Sequence, residues 1–362
     1  MKVLFILPYP TEGPSNRYRV EQYIPFLKEQ GIYCCLRPFI TSKFYRILYT
    51  RGNTLKKCAY FLSSFLKRIT DIIRAIKYDI IFIHIEAFPF GPPLFELIFW
   101  AMGKPIIFDF EDAIYLPVSR KGLHGCLKFP GKFYQNIRLS GQIIVCNNYL
   151  KEKLCIYNSN ITVIPTAIDA EKFKLKADKA KLDKLLIGWI GSHTTLPCLK
   201  QLIPAFEKLS KKHDFILKIV GGGSEVKIPG IEIINEKWSL EKEVENFTSL
   251  DIGVYPLPDN EWAMAKTPFK TIQYMSVGVP TVASNVGGNR EIIQDGINGF
   301  LASNEEEWIE KLSLLITNSH LRQKLGAAGR DTVEDRYSLK VNAPKLLEVL
   351  RKAYGNRYGN NY

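Results

Sequence analysis

The chain has 362 residues, 46% of them apolar and 23% charged, with a formal net charge of +13. That length is too great for one ordinary α/β core and comfortable for two. No apolar run reaches membrane-spanning length, since the nearest, Phe88 to Met102, holds three prolines and Glu96.

From the start, MKVLFILPYP reads directly as a first strand and lacks the small-residue cleavage site of a signal peptide. VLFIL (3–7) precedes a helix expected over 18–30. IIFIH (80–84), PIIFDF (105–110), IIVC (143–146) and ITVIP (161–165) follow as strands, apolar on both faces as in a covered parallel sheet. The basic excess sits in this half: residues 1–170 carry 22 Lys/Arg against 12 Asp/Glu, the remainder 27 against 24. From Lys43 to Lys77 the only acid is Asp71. Such a stretch suits an anionic membrane surface or a phospholipid-linked substrate, and equally a solvated basic helix face. Net charge without a recognition motif does not argue for nucleic acid.

Residues 171–184, rich in Ala, Lys and Asp, read as a linker. The alternation then restarts with strands at 185–191, 215–220, 231–235, 252–256 and 280–284. A helix carries Leu199 to Leu209 on one face, with Pro204 either kinking it or marking its true start. Helices are expected over 305–316, 319–335 and 339–354, the last free to return to the first domain. The seven cysteines show no CxxC and no paired spacing with His, and read as reduced thiols. Two successive β/α alternations predict an α/β chain of two Rossmann-like domains facing each other, 1–170 and 185–338. The cleft between them is the default ligand site.

Candidate chemistry gathers at strand ends. In KTPFKTIQYMSVGVPTVASNVGGNREIIQDGINGFL (266–301) a helix over 268–277 stops at Gly278, a short strand follows, and Gly287-Gly288 opens a second helix. Lys266, Thr267, Pro268, Phe269, Lys270 and Gln273 surround that helix start. Lys266, Lys270 and Gln273 are expected on one face, as cations for phosphates and an amide for ribose hydroxyls. Gly191 and Ser192, with Thr194 and Thr195, end a buried strand in a phosphate-facing turn. This is neither GxGxxG nor a Walker loop. In the loop after the first strand, Gly13 allows close backbone approach, and Arg17 and Arg19 supply cations. Asp109, Glu111 and Asp112 end the strand PIIFDF, and His84 ends another. Acids there are costly unless wet, paired or used. They could bind sugar hydroxyls, act as a base, or pair with the arginines. No Cys or His ligands accompany them, and no metal is expected.

The chain resembles retaining glycosyltransferases of the GT-B fold, of the large family-4 type, over nearly its full length. The carrying residues are SNRYR (15–19), VIPTAID (163–169), IGWIGSHTT (187–195) and the block 269–301. The resemblance implies a nucleotide-sugar donor held mainly by the C-terminal domain, an acceptor on the N-terminal domain, and no metal. Gln273 stands where the family has the second of its paired glutamates, and the first falls near Ala265. Ser192 and Pro197 occupy the places of the usual Arg and Lys. The donor phosphates would then fall to Lys266, Lys270 and Arg17 or Arg19.

The expectation is a metal-independent glycosyltransferase that uses a UDP- or GDP-sugar, needs no cofactor, and acts on a glycan or lipid-linked acceptor. It would work in the cytoplasm, with peripheral contact at the inner membrane face through 43–77. The alternatives are a nucleotide-sugar epimerase on the same fold and a non-catalytic nucleotide-sugar-binding protein.

Overall fold

The computed structural model describes residues 1–116, 129, 131–175 and 184–358. The chain divides into two compact units, Met1–Ala167 with Asn342–Tyr362, and Ile168–Val341. Most of the expected linker lies outside the described residues. In its described start Phe173 is fully buried and meets the Phe247 ring, and Lys172 pairs with Glu243 of the same unit.

Unit 1 is built on a parallel sheet of β1 (Lys2–Leu7), β2 (Tyr33–Pro38), β3 (Ile80–His84), β4 (Ile106–Asp109), β5 (Gln142–Val145) and β6 (Ile161–Val163), in the order β2-β1-β3-β4-β5-β6. The β-branched runs of β1, β3, β4 and β5 are buried throughout, which their unbroken apolar sequence requires. β2 was not foreseen. It lies at the sheet edge with an irregular exposure pattern, and its terminal Pro38 is tolerated only there. The single helix expected over 18–30 is two: α1 (Pro14–Arg19) ends at Val20, and α2 (Ile24–Glu29) restarts with Pro25 in its first turn. After α3 (Ser42–Leu48) comes α4 (Thr54–Ala75), 22 residues long. α5 (Leu94–Ala101) packs on it; α6 (Lys132–Leu139) and α7 (Asn148–Leu154) flank β5.

Unit 2 repeats the plan with β7 (Leu185–Ile190), β8 (Phe215–Val220), β9 (Glu232–Glu236), β10 (Ile252–Tyr255), β11 (Thr281–Ser284) and β12 (Phe300–Ala302), in the order β12-β11-β10-β7-β8-β9. Pro204 does mark a start: α8 (Leu196–Lys200) and α9 (Ile203–Ser210) are separate helices. α10 (Glu243–Thr248), α11 (Glu261–Met264), α12 (Phe269–Ser276), α13 (Asn289–Ile292), α14 (Glu305–Thr317) and α15 (Ser319–Thr332) complete the unit. Its core packs Ile187, Trp189, Leu217 and Val254 against Phe206, Leu312 and Leu315. The final helix, α16 (Leu339–Tyr358), belongs to unit 1 from Asn342 onward.

Among the described residues no helix is long and apolar enough to cross a membrane.

Candidate functional site

In each unit the chain order reverses beside one strand, and open α/β sheets take ligands at the carboxyl ends of the strands there. In unit 2 that strand is β7, between β8 and β10. The helix α12 is fixed over the reversal by Tyr274. Its ring covers Gly253 of β10, where a Cβ would lie 2.6 Å away, and its hydroxyl accepts from Ile190 N–H of β7 at 3.0 Å. Burial raises the Tyr274 phenol, so it stays a neutral brace.

The block 266–301 assembles around this helix. Gly287 takes φ +50°, and a Cβ there would lie 2.5 Å from Ala263 O; at Gly288 one would lie 2.7 Å from Pro268 Cδ. The glycine pair therefore lets its loop pack onto the chain at 263–268. The Lys266 ammonium stands 4.6 Å over the Trp262 ring centroid, and the Lys270 ammonium 5.2 Å over that of Phe247. Lys270 also donates to Gln273 Oε1 at 2.8 Å.

Of Lys266, Lys270 and Gln273, expected on one face, the structure joins Lys270 to Gln273 and sets Lys266 over Trp262. The first helical residue is Phe269, so Lys266 lies before the helix and stacks on the preceding turn. Gln273 is buried beneath Lys270. Thr267 and Pro268 are buried too, with Phe269 half-buried. The Lys266 charge reaches α8: burial raises the Cys198 thiol and Lys266 opposes it.

β7 ends in an exposed hydroxyl turn. Ser192 N–H donates to Thr195 Oγ1 at 3.0 Å, and the Ser192 and Thr194 hydroxyls lie 2.7 Å apart. Gly191 is required because a Cβ would fall 2.3 Å from the Trp189 ring. This edge thus carries two half-buried ammoniums on aromatic faces and a cluster of hydroxyls.

In unit 1 the reversal lies at β1, between β2 and β3. His84 and Asp109 pair in register across β3 and β4, and His84 Nδ1 lies 2.7 Å from Asp109 Oδ2. Arg19 forms an ion pair with Asp109 from α1 and donates to Ile164 O at 2.7 Å. All three side chains are buried. Burial alone would raise the Asp109 carboxyl; Arg19 and His84 outweigh it and hold the group below the usual carboxylate range. Burial would lower Arg19, and Asp109 with Glu111 reverses that.

The outer end of the cluster is Ser15 and Glu111, both half-buried. Ser15 Oγ lies 2.6 Å from His84 Nε2 and 2.5 Å from Glu111 Oε1, and Thr166 Oγ1 donates to Glu111 Oε2 at 3.0 Å. Directly after His84, Ile85 takes φ +63° while Glu86 N–H bonds back to His84 O at 2.7 Å. A β-branched residue in the left-handed region of such a γ-turn is strained.

Three expectations for this edge are corrected. Arg19 does not aim its charge outward; it is buried and spent on Asp109. Arg17 is half-buried and braces its own loop through the carbonyls of Thr11 (3.1 Å) and Glu12 (3.3 Å). Gly13 serves its own turn, since a Cβ would lie 2.7 Å from Tyr9 Cβ. Asp112 is half-buried, three residues past Asp109. Ser15 and Thr166, which sequence reasoning did not single out, stand inside stretches already marked as distinctive, SNRYR and VIPTAID. Trp262 and Phe247 carried no sequence signal of their own.

Residues 184–318 match the family model for glycosyl transferases group 1. That match covers well under half of the chain. The chain is similar to the glycosyltransferase of Rickettsia africae (TM-score 0.70, 19% identity, 99% of each chain) and to Anabaena HepE solved with UDP-glucose (TM-score 0.67, 12% identity, 97% of this chain and 100% of that one). Both likenesses concern the fold, which is GT-B. Among curated proteins, the capsular polysaccharide biosynthesis glycosyltransferase CapM of Staphylococcus aureus is 25% identical over 224 residues, 55% of this chain and 58% of CapM. The chain spans under two-thirds of the length of the curated relatives it matches.

Proposed function

We propose that the chain is a retaining, metal-independent glycosyltransferase. It moves a sugar from a nucleoside diphosphate donor, UDP or GDP, to a hydroxyl of a glycan or lipid-linked acceptor in surface polysaccharide or glycolipid synthesis. The observation that carries this reading is the pair Lys266 and Lys270, each ammonium held over an aromatic ring, in the unit whose β7 ends in the Ser192–Thr195 hydroxyls. They sit at the reversal of the sheet in the unit matched by the family model. A donor diphosphate needs cations and polar hydrogens, and its leaving group gains negative charge as the anomeric C–O bond breaks. Lysines fixed over aromatic rings answer that charge without a metal. The acceptor oxygen attacks from the leaving-group face, the acceptor side being assigned to unit 1.

UDP-glucose is the first donor to test, because HepE, of the same fold, was solved with it. By calorimetry, Lys266→Ala should weaken donor binding about 10- to 100-fold, the size of one to two charge-assisted hydrogen bonds. Near-normal affinity would remove Lys266 from the site. Transfer should persist in a chelator. Sugar isomerised without acceptor would identify an epimerase, and donor bound without transfer or hydrolysis a binding protein.

Peripheral contact with the inner face of an anionic membrane, and so a cytoplasmic location, is part of the proposal. It is assigned to the outward face of α4.

A further inference from the structure

His84 Nε2, Ser15 Oγ and Glu111 Oε1 stand in sequence with gaps of 2.6 and 2.5 Å. Two hydrogen-bonding gaps need two protons, and a serine hydroxyl has one. The second must come from the imidazole or from the carboxyl. With the proton on His84, His84 donates to Ser15 and Ser15 to Glu111. With it on Glu111, the direction of both bonds reverses. The two arrangements carry the same total charge, and a concerted shift through the hydroxyl interconverts them. Among the described residues, the charged and titratable groups around the imidazole include Arg19 from α1, Tyr23 beyond it, Asp109 from β4 and Glu111.

We infer that Ser15 is a proton relay between Glu111 at the open end of the cluster and the buried His84–Asp109 pair. The relay's purpose rests on the transfer reading. As the acceptor oxygen bonds to the anomeric carbon and the donor C–O bond breaks, its electron pair leaves with the diphosphate. Starting from the triad one proton poorer, with Glu111 a carboxylate and His84 neutral, the acceptor proton passes to Glu111, Glu111 donates to Ser15 Oγ, and the serine's own proton moves to His84 Nε2, which fills both gaps. The imidazolium so formed is held against the Asp109 carboxylate. Glu111 is the group that meets the acceptor, and Ser15 is a positioning residue acting through it.

Ser15, His84 and Asp109 are also spaced like the nucleophile, base and orienting acid of a serine hydrolase. The short contact to Glu111 separates the two uses. A nucleophilic serine gives its proton to the imidazole, whereas here a carboxylate contests it.

The test needs no substrate. In full-length chain labelled with 15N-histidine, with His84 assigned through His84→Gln, the Nε2 resonance should move when Glu111 is changed to Gln. Ser15→Ala should abolish that response and Ser15→Thr should keep it, in the manner of a double-mutant cycle. A His84 resonance indifferent to Glu111→Gln, or a response that survives in Ser15→Ala, overturns the relay. So does labelling of Ser15 by a fluorophosphonate. In transfer assays Ser15→Ala should lower kcat about 10- to 100-fold with donor affinity unchanged, and Ser15→Thr should restore it. Loss of donor binding in the unmodified chain would end the transferase reading while leaving the resonance result standing.

Discussion

His84 is placed by the residue that follows it. Ile85 at φ +63° turns the chain sharply while its N–H still bonds to Asp109 O at 2.8 Å, so β3 stays paired up to the histidine and no further. A left-handed β-branched residue costs on the order of 1–3 kcal/mol, and it persists only where neighbours over-determine it. Ile85→Gly should therefore raise stability by about 1 kcal/mol, seen as a higher urea midpoint at unchanged m-value, because glycine takes this conformation without the Cβ clash. Transfer should slow at the same time as the histidine loses its fixed orientation. A midpoint that stays put or falls would mean the turn is unstrained. This scale was the least legible in the sequence. Strand-end acids could be marked as costly and the arginines named as possible partners, but not that Arg19 rather than Arg17 would claim Asp109. That Arg19 is consumed by Asp109 follows from the break at Val20, which turns the last residue of α1 inward. Gln273 was likewise expected at a sugar and lies under Lys270, since eight-residue α12 buries every side from Thr271 to Ser276.

Among the elements, α4 is the most unusual. Its inward face is Ser64, Arg68, Asp71 and Ala75, all buried. Arg68 binds Asp71 at 3.1 Å and the carbonyl of Leu7, and burial pushes its guanidinium down to about 10 against the pull of Asp71. At 100° per residue, Leu55, Leu62, Leu66, Ile69 and Ile73 fall within about 60° of one another on the opposite side. They are exposed, Leu55 by 88% and Ile73 by 67%. Lys56, Lys67 and Arg74 line one flank, also exposed. The one acid of the segment is turned inward, so the outward face is apolar with a purely basic edge. The neighbouring α5 adds exposed Leu94 and Trp100. This suits an anionic bilayer, which takes Leu and Ile into its boundary and Lys at its headgroups. The full chain should co-sediment with vesicles containing phosphatidylglycerol, less so at high salt, and only weakly with pure phosphatidylcholine. Leu62→Asp with Leu66→Asp should abolish binding, and Lys67→Glu should weaken it by about fivefold or more. Equal binding to neutral vesicles would remove the basic edge from the account. A dimer broken by the same substitutions would give the stripe to a second copy. The basic bias of this segment was plain in the sequence, but a basic solvated face was an equal reading. Only burial of Arg68 and Asp71 shows which side of the helix faces out. Buried strands were legible because both faces are apolar; β2 was missed because its exposure is irregular, and β12 because it is only three residues long.

At the scale of the molecule, each unit has its own parallel sheet and its own core, and the two-alternation pattern foretold that much from strand spacing alone. The sequence leaves the last helix free to return to the first domain without saying what its apolar face covers, and from Asn342 onward it belongs to unit 1. Two separate cores predict two unfolding transitions, and the tryptophans separate them. Trp100 lies in unit 1, whereas Trp189, Trp238, Trp262 and Trp308 lie in unit 2. Tryptophan emission thus follows mainly unit 2, while far-ultraviolet circular dichroism follows both. A donor present at about 100 times its Kd stabilises the unit that binds it by about 2.7 kcal/mol. For a unit of this size that is a rise of roughly 5–10 °C. If Lys266, Lys270 and the Ser192–Thr195 turn hold the donor, the emission transition should rise by that amount. A dichroism component should remain where it was. A nucleotide-sugar that moves a dichroism component while the main emission transition stays put would place the donor on unit 1, and reverse the assignment of donor and acceptor sides.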